Sequence, residues 1–332
     1  MLEKNFIRHT VDRREFVTLG MGVFVALSLP AALLRRHIAL VKRSFPVMGT
    51  IAEIQIAHRD NRFAEDAIDA AIAEVQRIES MMTRFKRESD IGRANLQAAH
   101  DGVRVSPETA VVIAAALHAS SISDGRFDPA VGEVSELWDV LNRHEPPPAE
   151  RFERLAARGF WRKVDLTIRP EAAMVRLNDR DLHIDLGAIA KGYGIDRATD
   201  VLRARGIKHA IVTVGGDLVA LGDSPAGEPW TVGVRSPHDL DTLAATLRVS
   251  DRAVATSGDY ERFFRWRGMR FHHLMDPETA APRKTAFHSS TVLARSTMDA
   301  DAASTAVFGL PHDPALVIAQ RFDPDAEVIP LT

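Results

Sequence analysis

Four stretches of this chain gather side chains able to handle phosphate and metal. In "IDLGAIAKGYGID", residues 184–196, two aspartates, three glycines and one lysine fall where a strand hands over to a helix. Gly187 and Gly192 would let backbone approach a guest with no Cβ in the way. A helix that starts there opens with free N–H groups and the positive end of its dipole. Lys191 adds a full charge, so the natural guest is a phosphate or pyrophosphate. The order Gly–Lys–Ser/Thr of a Walker loop is absent, and so is the G-x-G-x-x-G dinucleotide fingerprint. A tight strand–helix junction with a solvated lysine is the plainer alternative, and the residues leave both open.

The second stretch is "STMDADAASTAVFGL", in which Asp301 and Thr305 stand at i and i+4 and project from one helix face. One carboxylate and one hydroxyl, completed by water and ligand phosphate, suit Mg²⁺, which is held through few protein oxygens. An early aspartate that favours the helix dipole, or a Thr bonded to its own backbone, is the alternative. Asp299 is a candidate N-cap. In residues 253–282, Thr256-Ser257-Gly258-Asp259 forms a polar turn and His272-His273 precede Asp276-Pro277, a clustering that suits a loop-lined site. In "DGRFDPAVGEVSELW", Pro129 forces extended or turn geometry on Asp128. Its carboxylate would accept from an amino group or a ring N–H of a heteroaromatic ligand, or cap the following helix.

These residues need elements to hold them. Alternation in "RSFPVMGTIAEIQIAH" predicts a strand. Phe63, Ala67, Ala71, Val75 and Ile78 recur on one face of a helix over 62–80. Ser106 as N-cap and Pro107 at the first helical position open a second helix. "RHEPPPAERF" is a surface loop. A strand over 182–186, a helix from 190 to 205 stopped by Gly206, and a strand over 209–214 ending in Gly215-Gly216-Asp217 follow. "PWTVGVRSP", "ATLRVSDRAVATSG" and "MRFHHLMDP" read as short strands, and a last helix begins near Asp299. Strands dominate without strict alternation with helices. The expected fold is therefore α+β, with layered antiparallel sheets and flanking helices, in a single catalytic domain over 39–332.

Composition sets outer limits. A net charge of −3 over 332 residues gives no basic footprint for nucleic acid. The absence of cysteine excludes disulfides, thiolate zinc sites, thiol nucleophiles and a lipid-bearing cysteine. Residues 1–38 carry Arg13-Arg14, then Phe16, then an apolar stretch diluted by Gly20, Gly22, Ser28 and Pro30 and closed by Arg35-Arg36. This resembles a twin-arginine export signal and predicts a periplasmic protein. An uncleaved N-terminal membrane anchor is the alternative.

The order of these blocks carries more than any one of them. VMGT (47–50), MTRF (82–85), GRFDPAVG (125–132), LW (137–138), DLGAIAKGYGID (185–196), VGGD (214–217), ATSGDY (255–260), HHLMDP (272–277) and DADAAST (299–305) together resemble the ApbE family of FAD:protein FMN transferases, from about residue 43 to 310. The resemblance implies an exported enzyme that uses Mg²⁺ and takes FAD as substrate. It would transfer FMN to a Thr or Ser hydroxyl of an acceptor protein through a phosphoester bond and release AMP. It implies metal binding by the Ala188 carbonyl, Asp301 and Thr305. It further implies FAD contacts from Met48, Thr83, Arg84, Phe85, Asp128, Lys191, Ser257, His273 and Leu274. The acceptor would carry a D-x-x-[ST]-[GSA]-x-T-like segment, as in a respiratory membrane flavoprotein such as a nitrous-oxide-respiration regulator. His273, whose ordinary pKa lies near neutrality, is the first candidate for general base, and Asp301 the second. A Mg²⁺-dependent FAD pyrophosphatase and a non-catalytic FAD carrier are the rival readings. Two departures from the family pattern are Ala280, where Gly is frequent, and Asp299, where Thr is more usual.

Overall fold

The computed structural model describes residues 38–332 and the backbone of two short strands, Phe16–Val17 and Val23–Ala26. The arginine pair and the rest of the segment read as an export signal lie outside the described residues. The centre is a seven-stranded sheet built from β1 (Ala39–Val47), β2 (Thr50–His58), β3 (Ala210–Val214), β4 (Asp217–Leu221), β5 (Arg252–Gly258), β6 (Ser289–Ala294) and β7 (Glu327–Leu331). Every neighbouring pair is antiparallel, and the spatial order follows the chain order from β1 to β7. The expected α+β architecture is the observed one.

Helices α1 (Asn61–Met82), α2 (Pro107–Ile122), α3 (Gly132–Trp138), α4 (Ala190–Ala204), α5 (Thr297–Val307) and α6 (His312–Phe322) surround the sheet. Ile54 and Ile56 of β2 meet Ile68, Ala71 and Val75 of α1 and Ile195 of α4 on one face. On the other face, Ile211, Leu218 and Val254 pack against Trp230 and Val232 of the strand Trp230–Arg235. All residues of β3 and β4 are buried because both faces are covered. A strand of this kind reads as a continuous apolar run.

Two expectations are corrected. Leu182, Ile184 and Leu186 are buried in alternation, but residues 182–186 join no ladder beyond one bridge, Val131 to His183. The Asn95 side chain takes the place of a partner strand, accepting from Ile184 N at 2.7 Å and donating to its carbonyl at 2.9 Å. Phe63 does not join the apolar face of α1. It is 38% exposed and packs beside His58, while Ala67, Ala71, Val75 and Ile78 are buried as the spacing predicts.

Candidate active site

The junction 184–196 explains its own glycines. A Cβ on Gly192 would lie 2.3 Å from the Thr297 carbonyl oxygen, so this glycine lets α4 cross the start of α5. A Cβ on Gly194 would meet Met48 Cε at 3.1 Å. Close packing, and not approach to a ligand, accounts for both residues. Asp196 closes the arrangement by accepting from Thr297 N at 2.8 Å and Met298 N at 2.9 Å, which caps α5. Ser296 and Asp299 form a reciprocal box at the same end, with Ser296 Oγ donating to Asp299 Oδ2 at 2.7 Å and accepting from Asp299 N at 3.0 Å. Asp299 therefore completes the cap that Ser296 begins. At the other end Arg126 and Arg283, both recessed, donate to the carbonyls of Thr305, Ala306 and Phe308. These are the acceptors a helix leaves unpaired at its C-terminus.

Helix α5, fixed at both ends, presents Asp301 to α4. Lys191 Nζ donates to Asp301 Oδ1 at 2.8 Å and to Asp217 Oδ2 at 2.6 Å. Gly192 N donates to Asp301 Oδ2 at 3.1 Å, and Thr256 N to Asp217 Oδ1 at 3.1 Å. Burial alone would push the Lys191 ammonium down, but Asp217 and Asp301 raise it well above the ordinary lysine value. Asp217 is pushed up, chiefly by burial and then by Asp301, despite the relief Lys191 gives it. The two shifts describe one fact: a single ammonium serves two carboxylates and leaves a negative surplus. Glu261, raised to about 7 first by burial and then by Asp217, feels the same surplus.

The oxygens around that surplus fit a hard cation. Asp301 keeps lone pairs on both oxygens beyond its N–H donors. Thr305 Oγ1 lies one turn further along α5, 3.2 Å from Ser257 Oγ, which also touches Ser304 Oγ at 2.9 Å. Among the described residues no backbone donor reaches the Ala188 carbonyl, because Gly192 N, which would be its helical partner, turns to Asp301 instead. Carboxylate, hydroxyl and carbonyl are the donors that Mg²⁺ accepts. A second group, Glu133, Glu136 and His183, lies within 4.8 Å of mutual reach. Arg84 and Arg154 already face its carboxylates, so it has no comparable surplus.

Contacts tie several of the remaining expected residues to the junction 184–196 or to one another. Met48 and Gly49, with φ of 51° and 67°, make the two-residue turn between β1 and β2. A methionine in that left-handed position is strained, and Glu79 holds it by accepting from Met48 N at 2.6 Å. Arg262 bridges from Gly49 O, to which it donates at 3.1 Å, to His273 N, from which its carbonyl accepts at 3.1 Å. Leu274 follows, buried. Thr83 ends α1, Arg84 pairs with Asp185 at 3.0 Å, and Phe85 is 81% exposed beneath the Arg84 guanidinium. Asp128 does not cap the helix that follows it, α3. Its oxygens accept from Ala130 N at 2.9 Å and Trp161 N at 3.2 Å, and burial pushes its carboxyl up to about 6. Its neighbour Pro129 accepts from Asp185 N at 2.7 Å, which ties this loop to the junction.

The reason for choosing His273 as base does not survive. Burial, followed by Arg262 and His272, pushes its imidazole down to about 3, so it is neutral and weakly basic near pH 7. Asp217 and Glu261 went unassigned in the sequence, although "VGGD" pointed to the first. Ala280 adopts the left-handed conformation, φ 51°, that glycine would take at that turn, and its carbonyl accepts from Trp138 Nε1 at 2.8 Å.

An antiparallel α+β core that sets a lysine between two buried carboxylates at a helix start, with a hydroxyl one turn along from one of them, has the features of an enzyme site that handles anions. The ApbE family model matches residues 48–330, and the chain belongs to that family. FAD:protein FMN transferase of Haemophilus influenzae is 29% identical over 310 residues, 90% of this chain and 89% of its own length. That of Klebsiella pneumoniae is 32% identical over 255 residues, 76% of this chain and 78% of its own. The crystal structure of the ApbE protein from Thermotoga maritima superposes with a TM-score of 0.78 at 29% identity, covering 88% of this chain and 94% of that one. Flavin transferase ApbE from Vibrio cholerae gives 0.73 at 27%, covering 88% and 93%.

Proposed function

We propose that this protein transfers FMN from FAD to a threonine or serine hydroxyl of an acceptor protein, with Mg²⁺ bound, and releases AMP. The observation that carries the proposal is the shared lysine. A pyrophosphate brings further negative charge to a place where Asp217 and Asp301 already outnumber Lys191. In a site of low dielectric that repulsion is large unless a second cation enters. The relatives' names supply the substrate and the direction of transfer.

Asp301, Thr305 and the Ala188 carbonyl would hold Mg²⁺, which as a Lewis acid withdraws charge from phosphoryl oxygens. Lys191, which holds Asp217, would offer its ammonium to the pyrophosphate. Met48 and Phe85 would contact the flavin or adenine rings. Nε2 of His273 has no partner among the described residues, so the neutral ring accepts a hydrogen bond from the acceptor hydroxyl and aims it at phosphorus. The hydroxyl oxygen bonds to the FMN phosphorus, the bond to the AMP oxygen breaks, and the hydroxyl proton leaves to solvent, since His273 is too weak a base to keep it. Export through the twin-arginine pair would place this chemistry in the periplasm.

Mass spectrometry of a D-x-x-T-G-x-T peptide incubated with the protein, FAD and Mg²⁺ tests the reading. A phosphoester-linked FMN on the Thr, with one AMP per adduct, is the expected result. AMP and free FMN without adduct would make the protein a pyrophosphatase. Intact FAD bound in the presence of Mg²⁺ would make it a carrier.

A further inference from the structure

The hairpin Phe263–Trp266 with Met269–His272 forms a separate two-stranded sheet. It leaves the chain just after β5, which carries Ser257, and returns at His273-Leu274, so it borders the candidate site at both ends. Its inner face is fixed: Phe264 pairs with Phe271 and stacks on it at 5.2 Å, and Phe271 stacks on Trp138 at 5.7 Å. The outer face breaks a local rule. Arg265 stands directly opposite Arg270, and like charges so placed destabilise a strand pair. Phe263 lies between them, its ring 5.7 Å from the Arg265 guanidinium and 4.9 Å from that of Arg270. Asp259 pairs with Arg270, but among the described residues no acidic side chain meets Arg265. At the tip, Arg267 and Gly268 make a turn with φ of 48° and 79°, and the Arg267 guanidinium lies 4.2 Å over Trp266. Among the described residues it too lacks an acidic partner. Both free arginines are exposed, on a chain whose net charge is −3.

We propose that the outer face of this hairpin docks the acceptor protein, through an acidic segment that flanks the hydroxyl to be modified. The inference rests on the transfer reading given above. Aromatic rings hold the two free guanidiniums extended before any partner arrives, which lowers the entropy lost when carboxylates bind. The pyrophosphate has Lys191 and the start of α4 for its own charge, deeper in the molecule. Asp259 already meets Arg270, so the charge left for anionic side chains of a partner is that of Arg265 and Arg267. Departures from local rules of this kind mark functional surfaces.

Two peptides with the same central D-x-x-T-G-x-T segment, one flanked by glutamates and one by glutamines, separate the possibilities. With the whole protein, FAD and Mg²⁺, kcat/KM for FMN attachment is expected to favour the glutamate peptide by roughly tenfold at low salt, through KM. The gap should close at about 0.5 M salt. The double variant R265E/R267E should reverse the preference, and R265Q/R267Q should erase it, with FAD affinity and circular dichroism unchanged in both. Equal use of the two peptides by the unaltered protein, or a preference that survives in the variants, overturns the proposal. A parallel loss of FAD affinity also overturns it, because the hairpin would then serve the dinucleotide. AMP release with neither peptide modified refutes the transfer reading, and the docking proposal with it.

Discussion

At Lys191 one ammonium faces Asp217 at 2.6 Å and Asp301 at 2.8 Å, both carboxylates being almost wholly buried. Removing one of the three changes the charge of the site and not its shape. Asp301→Ala is expected to abolish AMP release while circular dichroism stays unaltered, since Lys191 retains Asp217. Lys191→Ala should weaken FAD binding by about 1.5–3 kcal/mol, the worth of a charge-assisted contact, in a fluorescence-quenching titration. Histidine gives a second prediction at this scale. His272 and His273 are pushed down to about 4 and about 3, both by burial first. A group whose folded pKa lies below its unfolded value contributes stability that is complete above the unfolded value, near 6.5. That stability is lost as pH falls toward the folded pKa. Tm measured against pH should therefore fall less steeply between pH 6.5 and 4 for His272→Asn than for the unaltered protein. Parallel curves would contradict the burial argument. The sequence showed Asp301, Thr305 and Lys191 as candidates because charge and spacing are local. It could not show that burial takes His273 out of its ordinary range, because burial is a property of the folded surroundings.

Two helices set the distances on which that charge arrangement depends. Their crossing leaves no room at Gly192, where a Cβ would fall 2.3 Å from Thr297 O and 2.6 Å from its carbonyl carbon. Gly192→Ala should therefore move α5 away from α4, destabilise the protein by roughly 1–3 kcal/mol in urea, and lower AMP release. Gly206→Ala, at φ +80° with nothing within 4 Å of the added atom, should cost about 1 kcal/mol through backbone strain alone and leave AMP release unchanged. Similar losses of activity in the two variants would show that the crossing does not position Asp301. Helix α4 was legible, from its start after Ile189 to its stop at Gly206. The preceding segment was not. Alternating burial of Leu182, Ile184 and Leu186 reports which side faces the core and says nothing of whether a ladder exists, and here Asn95 supplies the partner groups. Helix α6 and strand β7 were absent from the reading, because a strict apolar period is hard to see where Ala315 and Ala319 carry the buried face of α6.

For the whole molecule, the antiparallel α+β architecture followed from the excess of strands over helices and from the lack of strict alternation between them. What the sequence did not disclose is that the central sheet is laid down in chain order, with Asp217 and Ser257 on its strands and Lys191 and Asp301 reaching it from the insertions between them. Lys191 arrives between β2 and β3, and Asp301 between β6 and β7. The centre is complete only when nearly the whole chain has folded. We propose export through the twin-arginine pair; a centre of this kind would then have to form before the protein crosses the membrane. Replacing Arg13 and Arg14 by lysines is expected to keep the protein in the cytoplasm, as judged by cell fractionation. Unchanged export would contradict that route.

The central claim is that the carboxylates beside Lys191 admit a dinucleotide only together with a divalent ion, so the two ligands must help each other bind. Thermodynamic linkage makes this measurable as FAD affinity with and without Mg²⁺, in the unaltered protein and in Asp301→Ala. The account predicts that Mg²⁺ tightens FAD binding in the unaltered protein by about tenfold or more and has no effect in the variant. FAD binding that ignores Mg²⁺ in the unaltered protein, or that responds to it equally in both, would contradict it.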